Sequence, residues 1–192
     1  MRLPELEGES LLRLARGSIE YGLGHQEPLP VDCVDLPHAL AEPGATFTTL
    51  HLDGRLRGCC GSLEAARPLA TDVAYSAFQA AFRDPRFDPV RADELAAIRL
   101  EVSVLSPMEA MSVACESDLL EQLMPGEDGL VIVEGARRAT FLPKVWEQLP
   151  SPRQFLDQLK LKCGLPKNYW SERLEFRRYR TASYAESGQG RS

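Results

Sequence analysis

Thr46-Phe47-Thr48-Thr49-Leu50-His51-Leu52, then Asp53-Gly54, then Arg55-Leu56-Arg57-Gly58-Cys59-Cys60-Gly61: this run reads as a β-hairpin. Asp-Gly suits a two-residue type I′ turn, because both central positions need a positive φ that these residues tolerate. The strands are then Thr46 to Leu52 and Arg55 to Cys60, presenting the Gly58–Gly61 loop at the end of a sheet. A two-residue loop sets Leu52 opposite Arg55, Leu50 opposite Arg57 and Thr48 opposite Cys59. Opposed residues share a face, so Cys59 is expected beside Arg57, Thr48 and Leu50. His51 would lie on the other face with Cys60 and Phe47, which argues against a Cys59–His51 pair.

Upstream, Glu9 to Tyr21 reads as an amphipathic helix carrying Leu11, Leu14, Ala15 and Ile19, with Gly22 as its left-handed end. Leu23 to His38 is irregular, broken by Pro28, Pro30 and Pro37. Downstream, Pro68 opens a helix whose buried stripe is Leu69, Val73, Ala77 and Ala80, and which must end before Asp84-Pro85. After a helical turn at Asp93 to Ala97, the alternation of Ile98, Leu100, Val102 and Val104 predicts a strand in the hairpin's sheet, buried on that side. Ser106-Pro107 stops it. A short helix capped by Ser117 or Asp118 follows, then a central strand at Leu130 to Val133 turning through Gly135-Ala136 into Arg138 to Leu142. Ser151-Pro152 starts a helix that stops at Gly164, and the charged Leu174 to Arg180 reads as a last, edge strand. Hairpins mixed irregularly with helices argue α+β, with a largely antiparallel sheet flanked by helices.

The length of 192 residues suits one domain, and the 44% hydrophobic content suffices for a core. A net charge of −6 without a basic run argues against a nucleic-acid or anionic-membrane partner. The longest apolar stretch, Val73 to Phe82, is about ten residues against the ~18 of a membrane span. Glu5, Glu7 and Glu9 stand where a signal peptide needs basic residues. Five cysteines without framework spacing fit a reducing, cytoplasmic compartment. The histidines lack metal-ligand spacing, and no phosphate loop, dinucleotide glycine pattern, Gly-x-Ser-x-Gly elbow or three-cysteine cluster occurs. No metal and no cofactor are therefore expected.

Leu56-Arg57-Gly58-Cys59-Cys60-Gly61 resembles the signature of the AMMECR domain family. Asp84-Pro85-Arg86-Phe87, Glu101 to Ser106, Gly129-Leu130 and Phe141-Leu142-Pro143-Lys144-Val145-Trp146 follow in that family's order. Phe155 through Cys163-Gly164-Leu165 to Tyr169-Trp170 looks like its closing helix and loop. The resemblance implies an α+β, two-lobed single domain over residues 9–182. The residues after it, 183–192 and Ser187 to Ser192 above all, are expected to form a disordered tail. It also implies a bacterial setting beside a Memo-type protein and a radical S-adenosylmethionine protein. It implies no particular reaction. Cys60 departs from the family's usual isoleucine, and Lys144 from its common glutamine.

Two readings of the signature stand side by side. Gly58 and Gly61 bracket the thiols and Arg57 is near, surroundings that favour a thiolate at Cys59. A cysteine in a glycine-rich turn is equally a packing residue. Glu101, on a polar strand face, can orient a cation or form a structural ion pair with Arg57 or Arg86. Asp84 is expected to cap a turn with Pro85. The first functional expectation is an enzyme or enzyme subunit whose site lies in a cleft between lobes. There Cys59 and Glu101 would be catalytic, and Arg57, Gly58, Gly61 and Arg86 would bind substrate, Arg57 by holding an anion. The alternative is a non-catalytic adaptor whose signature loop docks a partner protein.

Overall fold

The structure, a computed structural model, describes residues 5–34 and 36–186. The chain divides into two compact units, one running to Leu105 and resuming at Ala182, the other Ser106–Thr181. In the first unit α1 (Glu5–His25) and α2 (His38–Ala41) precede β1 (Pro43–Gly44), β2 (Thr46–Leu52), β3 (Arg55–Gly61) and β4 (Arg67–Pro68). Then come α3 (Leu69–Phe82) and β5 (Arg99–Leu105). The second unit holds β6 (Glu109–Met111), α4 (Glu116–Gln122), β7 (Gly129–Glu134), β8 (Arg137–Phe141), α5 (Pro152–Lys162) and β9 (Glu175–Tyr179), after which β10 (Thr181–Ala185) returns to the first. The fold is α+β, and its single expected sheet is two: β10-β5-β2-β3 in the first unit and β6-β9-β7-β8 in the second. A two-stranded ribbon, β1-β4, accompanies the first.

The Asp53-Gly54 turn forms as its chemistry dictates, with φ of 52° and 75° at the two positions. Ile98, Leu100, Val102 and Val104 all point into the core of that sheet. They meet Leu50 of β2, Leu11, Ala15 and Ile19 of α1, and the alanine-rich stripe of α3. Ser18 of α1 donates to the Ala74 carbonyl of α3 at 2.7 Å, so a buried hydroxyl is satisfied where the two helices meet. In the second unit Phe155 of α5 stacks on Trp146 at 3.8 Å within a cluster that includes Leu130, Ile132 and Phe176.

Several expectations change. Helix α1 does not end at Gly22; it runs to His25, and Gln26 takes the left-handed turn at φ 59°. Gly22 serves packing instead, since a Cβ there would sit 2.6 Å from the Phe82 ring and 2.8 Å from Phe78. Helix α4 starts at Glu116 behind Cys115; Asp118 accepts the Ala114 N–H at 2.8 Å rather than acting as the N-cap residue itself. Strand β9 is not an edge, because it lies between β6 and β7. Its charges alternate with the buried Phe176 and Tyr179, and Arg178 pairs with Glu109 of β6 at 3.1 Å. Nor does a tail begin at 183: Ser183, Tyr184 and Ala185 belong to β10, whose Thr and Tyr suit a strand. Residues 187–192 lie outside the described residues.

Candidate functional site

Strand β3 is the edge of the first unit's sheet and carries Leu56 to Gly61. Its glycines answer to neighbouring backbone. A Cβ on Gly58 would stand 2.2 Å from the Ala80 carbonyl oxygen of α3, and one on Gly61 2.2 Å from the Thr46 carbonyl oxygen of β2. Between them the two thiols part. Cys60 packs against the helical core, where burial raises its pKa. Cys59 points to the sheet's other face and is half-buried. All five cysteines are free thiols.

The hairpin's pairing corrects the register read from the turn. Leu52 faces Arg55, but a bulge between Leu50 and His51 leaves Arg57 outside the ladder. Beyond it Leu50 faces Gly58, Thr49 faces Cys59 and Thr48 faces Cys60. One extra residue on β3 therefore exchanges the faces of everything after it. Thr48 and Leu50 go with Cys60 on the helix side, whereas Cys59 joins Thr49 on the outer face. His51, excluded as a neighbour by the turn-based register, shares that face.

Across β2, Thr49 is also opposite Glu101 of β5, and His51 is opposite Arg99. Cys59, Thr49 and Glu101 thus form one row over three strands, spanning roughly 10 Å between the outer Cα atoms at ordinary strand spacing. The Thr49 hydroxyl donates to the Cys59 sulfur at 3.5 Å. In the next row Phe47 faces Gly61 on one side and Ser103 on the other, and Ser103 hydrogen-bonds Ser183 of β10 at 2.8 Å.

An edge strand leaves N–H and C=O groups unpaired, and here two side chains take them. The buried Asp84 carboxylate accepts the Cys59 N–H at 2.9 Å. The same carboxylate accepts from the Arg86 guanidinium at 2.9 and 2.6 Å and from the Arg86 N–H at 3.1 Å. Arg86 also reaches the Cys59 carbonyl at 3.5 Å. The Arg86 guanidinium, then the backbone donors, hold the Asp84 carboxyl far below the ordinary carboxylate range, although burial opposes them. Asp84 does cap its own turn, as expected, and it also fastens Cys59. Because the Cys59 N–H points away from β2, Thr49 and Cys59 form the pair type in which side chains approach most closely.

The two guanidines of the expected binding set serve different neighbours. Arg57 makes a two-pronged pair with Glu94, at 2.9 and 3.0 Å, and donates to the Asp88 carbonyl at 2.9 Å. It ties β3 to the 88–94 segment. Arg86 pairs with Asp84, so neither of these pairings involves Glu101. Every expected site residue belongs to the first unit. Thr49, His51 and the anchoring role of Asp84 escaped the sequence reading, because the bulge that assembles them leaves no local signature.

On that outer face Cys59 and Glu101 flank Thr49 on the neighbouring strands, and His51 stands two residues along β2. This is the residue set of nucleophilic catalysis: a nucleophile, a proton acceptor and a group to orient it.

Comparison with known proteins agrees with this architecture. The AMMECR1 family model matches residues 12–184. A protein from Methanothermobacter thermautotrophicus is 34% identical over 188 residues, covering 95% of each chain. Protein MJ0810 of Methanocaldococcus jannaschii is 37% identical over 178 residues, covering 88% of this chain and 85% of its own. The crystal structure of uncharacterized protein PH0010 from Pyrococcus horikoshii superposes with a TM-score of 0.90 at 30% identity, covering 97% of this chain and 95% of that one. With the family model, the relatives and the fold in agreement, the chain belongs to the AMMECR1 family.

Proposed function

We propose that this protein is an enzyme or enzyme subunit acting on a small molecule or a modified residue, with Cys59 as its reacting thiol. The reading rests on one observation above the others: the signature turns Cys60 into the core and Cys59 onto a polar face, between Thr49 and the Asp84–Arg86 anchor. A cysteine kept only for packing has no need of a buried carboxylate fixing its backbone. In this scheme Cys59 attacks an electrophilic substrate, His51 takes the thiol proton, and Glu101 orients the imidazole or a cationic group. The exposed edge of Arg86 holds an anionic group, because the Arg57 guanidinium is committed to Glu94.

The setting implied by the signature adds two partners, a Memo-type protein and a radical S-adenosylmethionine protein, in a cytoplasmic system. Among the described residues no helix is long and apolar enough to cross a membrane. The test is metabolite turnover by the reconstituted three-protein set. Turnover should vanish without this chain and with the Cys59→Ala protein, and persist with Cys60→Val. Full turnover with Cys59→Ala, in a complex that needs this chain, would instead establish the adaptor reading. Thiol labelling provides a second measure in a Cys115→Ser background, since exposed Cys115 has its pKa lowered by the Ser117 hydroxyl and would label first. Iodoacetamide at pH 7 is expected to modify Cys59 well before Cys60.

A further inference from the structure

The first unit also has a concavity that none of Cys59, Thr49, His51, Glu101, Asp84 or Arg86 lines. A cavity of about 330 Å³ lies where the ends of α1 and α3 meet the 89–90 segment. Leu23, Phe78, Phe82, Pro89 and Val90 supply its apolar wall, and Gln26 and Arg83 add an amide and a guanidinium, so the lining is mixed in character. The Arg83 guanidinium lies 5.9 Å from the centre of the Phe78 ring. Neither Arg83 nor Gln26 has a side-chain partner of opposite character among the described residues. An apolar concavity with a few convergent polar groups is the ordinary form of a small-ligand site, and this volume is at the small end of that class.

The local backbone strengthens the case. Gly22, which could have closed α1, is used to admit the Phe78 and Phe82 rings that form the cavity wall. The left-handed turn then falls on Gln26, at φ 59°, where glycine would be the easier residue. Gln26 and Arg83, both solvent-exposed, thus hold an amide and a guanidinium at the rim of the cavity.

We propose that this cavity binds a small apolar carboxylic acid, its ring or branched chain against Phe78, Phe82 and Val90. The carboxylate accepts hydrogen bonds from the Arg83 guanidinium and the Gln26 amide. An amine is a poor occupant, because Arg83 would repel it.

The probes are 3-phenylpropionate and its uncharged isostere 3-phenylpropanamide, titrated into the full chain and followed by amide chemical shifts and calorimetry. The acid should shift Leu23, Phe78 and Phe82 and bind about tenfold more tightly than the amide, as a charge-assisted hydrogen bond implies. Arg83→Gln should weaken the acid to the level of the amide and leave the amide unchanged. Gln26→Gly relieves the positive φ, so it stays folded, and should weaken the acid about fivefold, the worth of one ordinary hydrogen bond. Equal binding of acid and amide, tighter binding of phenethylamine, or an acid affinity indifferent to Arg83→Gln would each overturn the proposal. None of these outcomes depends on Cys59.

Discussion

A methyl on Gly58 would stand 2.2 Å from the backbone carbonyl of Ala80, an atom that no side-chain rotation can move aside. Gly58→Ala is therefore expected to destabilise the protein by about 2 to 4 kcal/mol, measured by denaturant unfolding. Cys59→Ala, one position on, removes a half-buried thiol from the outer face and should cost about 1 kcal/mol or less. Cys60 faces the core, and valine is close to cysteine in size, so Cys60→Val should change stability by no more than about 1 kcal/mol. The Arg57–Glu94 pair brings a pH dependence. Its guanidinium holds the Glu94 carboxyl down to about 2, from an ordinary value of 4.5. A depressed carboxylate stabilises the fold above its unfolded value and loses that contribution as pH falls toward its folded one. Glu94→Gln should thus be less stable than the parent by about 3 kcal/mol at pH 7, with the gap closing between about pH 5 and pH 2. A gap independent of pH would mean the pair acts by shape alone.

At the level of the strand, β3 is an edge whose exposed backbone is closed at one residue by Asp84. Asp84→Ala leaves the Cys59 N–H open and the Arg86 guanidinium without its buried partner. Loss of about 3 kcal/mol is expected. Hydrogen exchange should locate the loss: the Cys59 amide should exchange on the order of a hundredfold faster, a local opening, while the β7 core keeps its protection. In the second unit the fully buried Lys160 donates to the Lys167 carbonyl at 3.0 Å and pairs with Glu116, which Arg153 also engages. Burial lowers the lysine pKa. Lys160→Met keeps the volume and leaves Glu116 paired with Arg153, so it should cost less than Lys160→Ala in thermal unfolding.

On the scale of the whole chain, the first unit is discontinuous, and its two pieces are laced together. Glu186, just after β10, pairs with Arg16 of α1 and accepts the Leu100 N–H at 3.0 Å. Arg16 also donates to the Leu95 and Ile98 carbonyls at 2.7 and 2.9 Å. A chain truncated after Arg180 loses β10 and this clasp, and exposes the edge of β5. Such a chain should melt well below the full-length protein or fail to fold. Arg16→Ala should reproduce part of that loss, about 2 to 3 kcal/mol, by calorimetry.

Local rules made the turn at Asp53-Gly54, the buried face of β5, the end of α3 before Asp84-Pro85 and the α+β class legible from residues alone. Each depends on neighbours in sequence: φ preferences, side-chain alternation, the steric effect of proline. What tertiary packing decided lies where two distant segments compete for one residue. Gly22 reads as a helix end by propensity but is claimed by two phenylalanine rings, so the turn moved to Gln26. Strand β9 looks like an edge by its charge, yet β6 pairs with it and hides that from any local pattern. The bulge at Arg57 matters most. A turn sets register only as far as the ladder stays regular, and a long-range pull from Glu94 on Arg57, with Gly58 pressed against α3, accompanies the break. Whether Cys59 faces the core or the polar face rests on that single residue, and only the folded chain determines it.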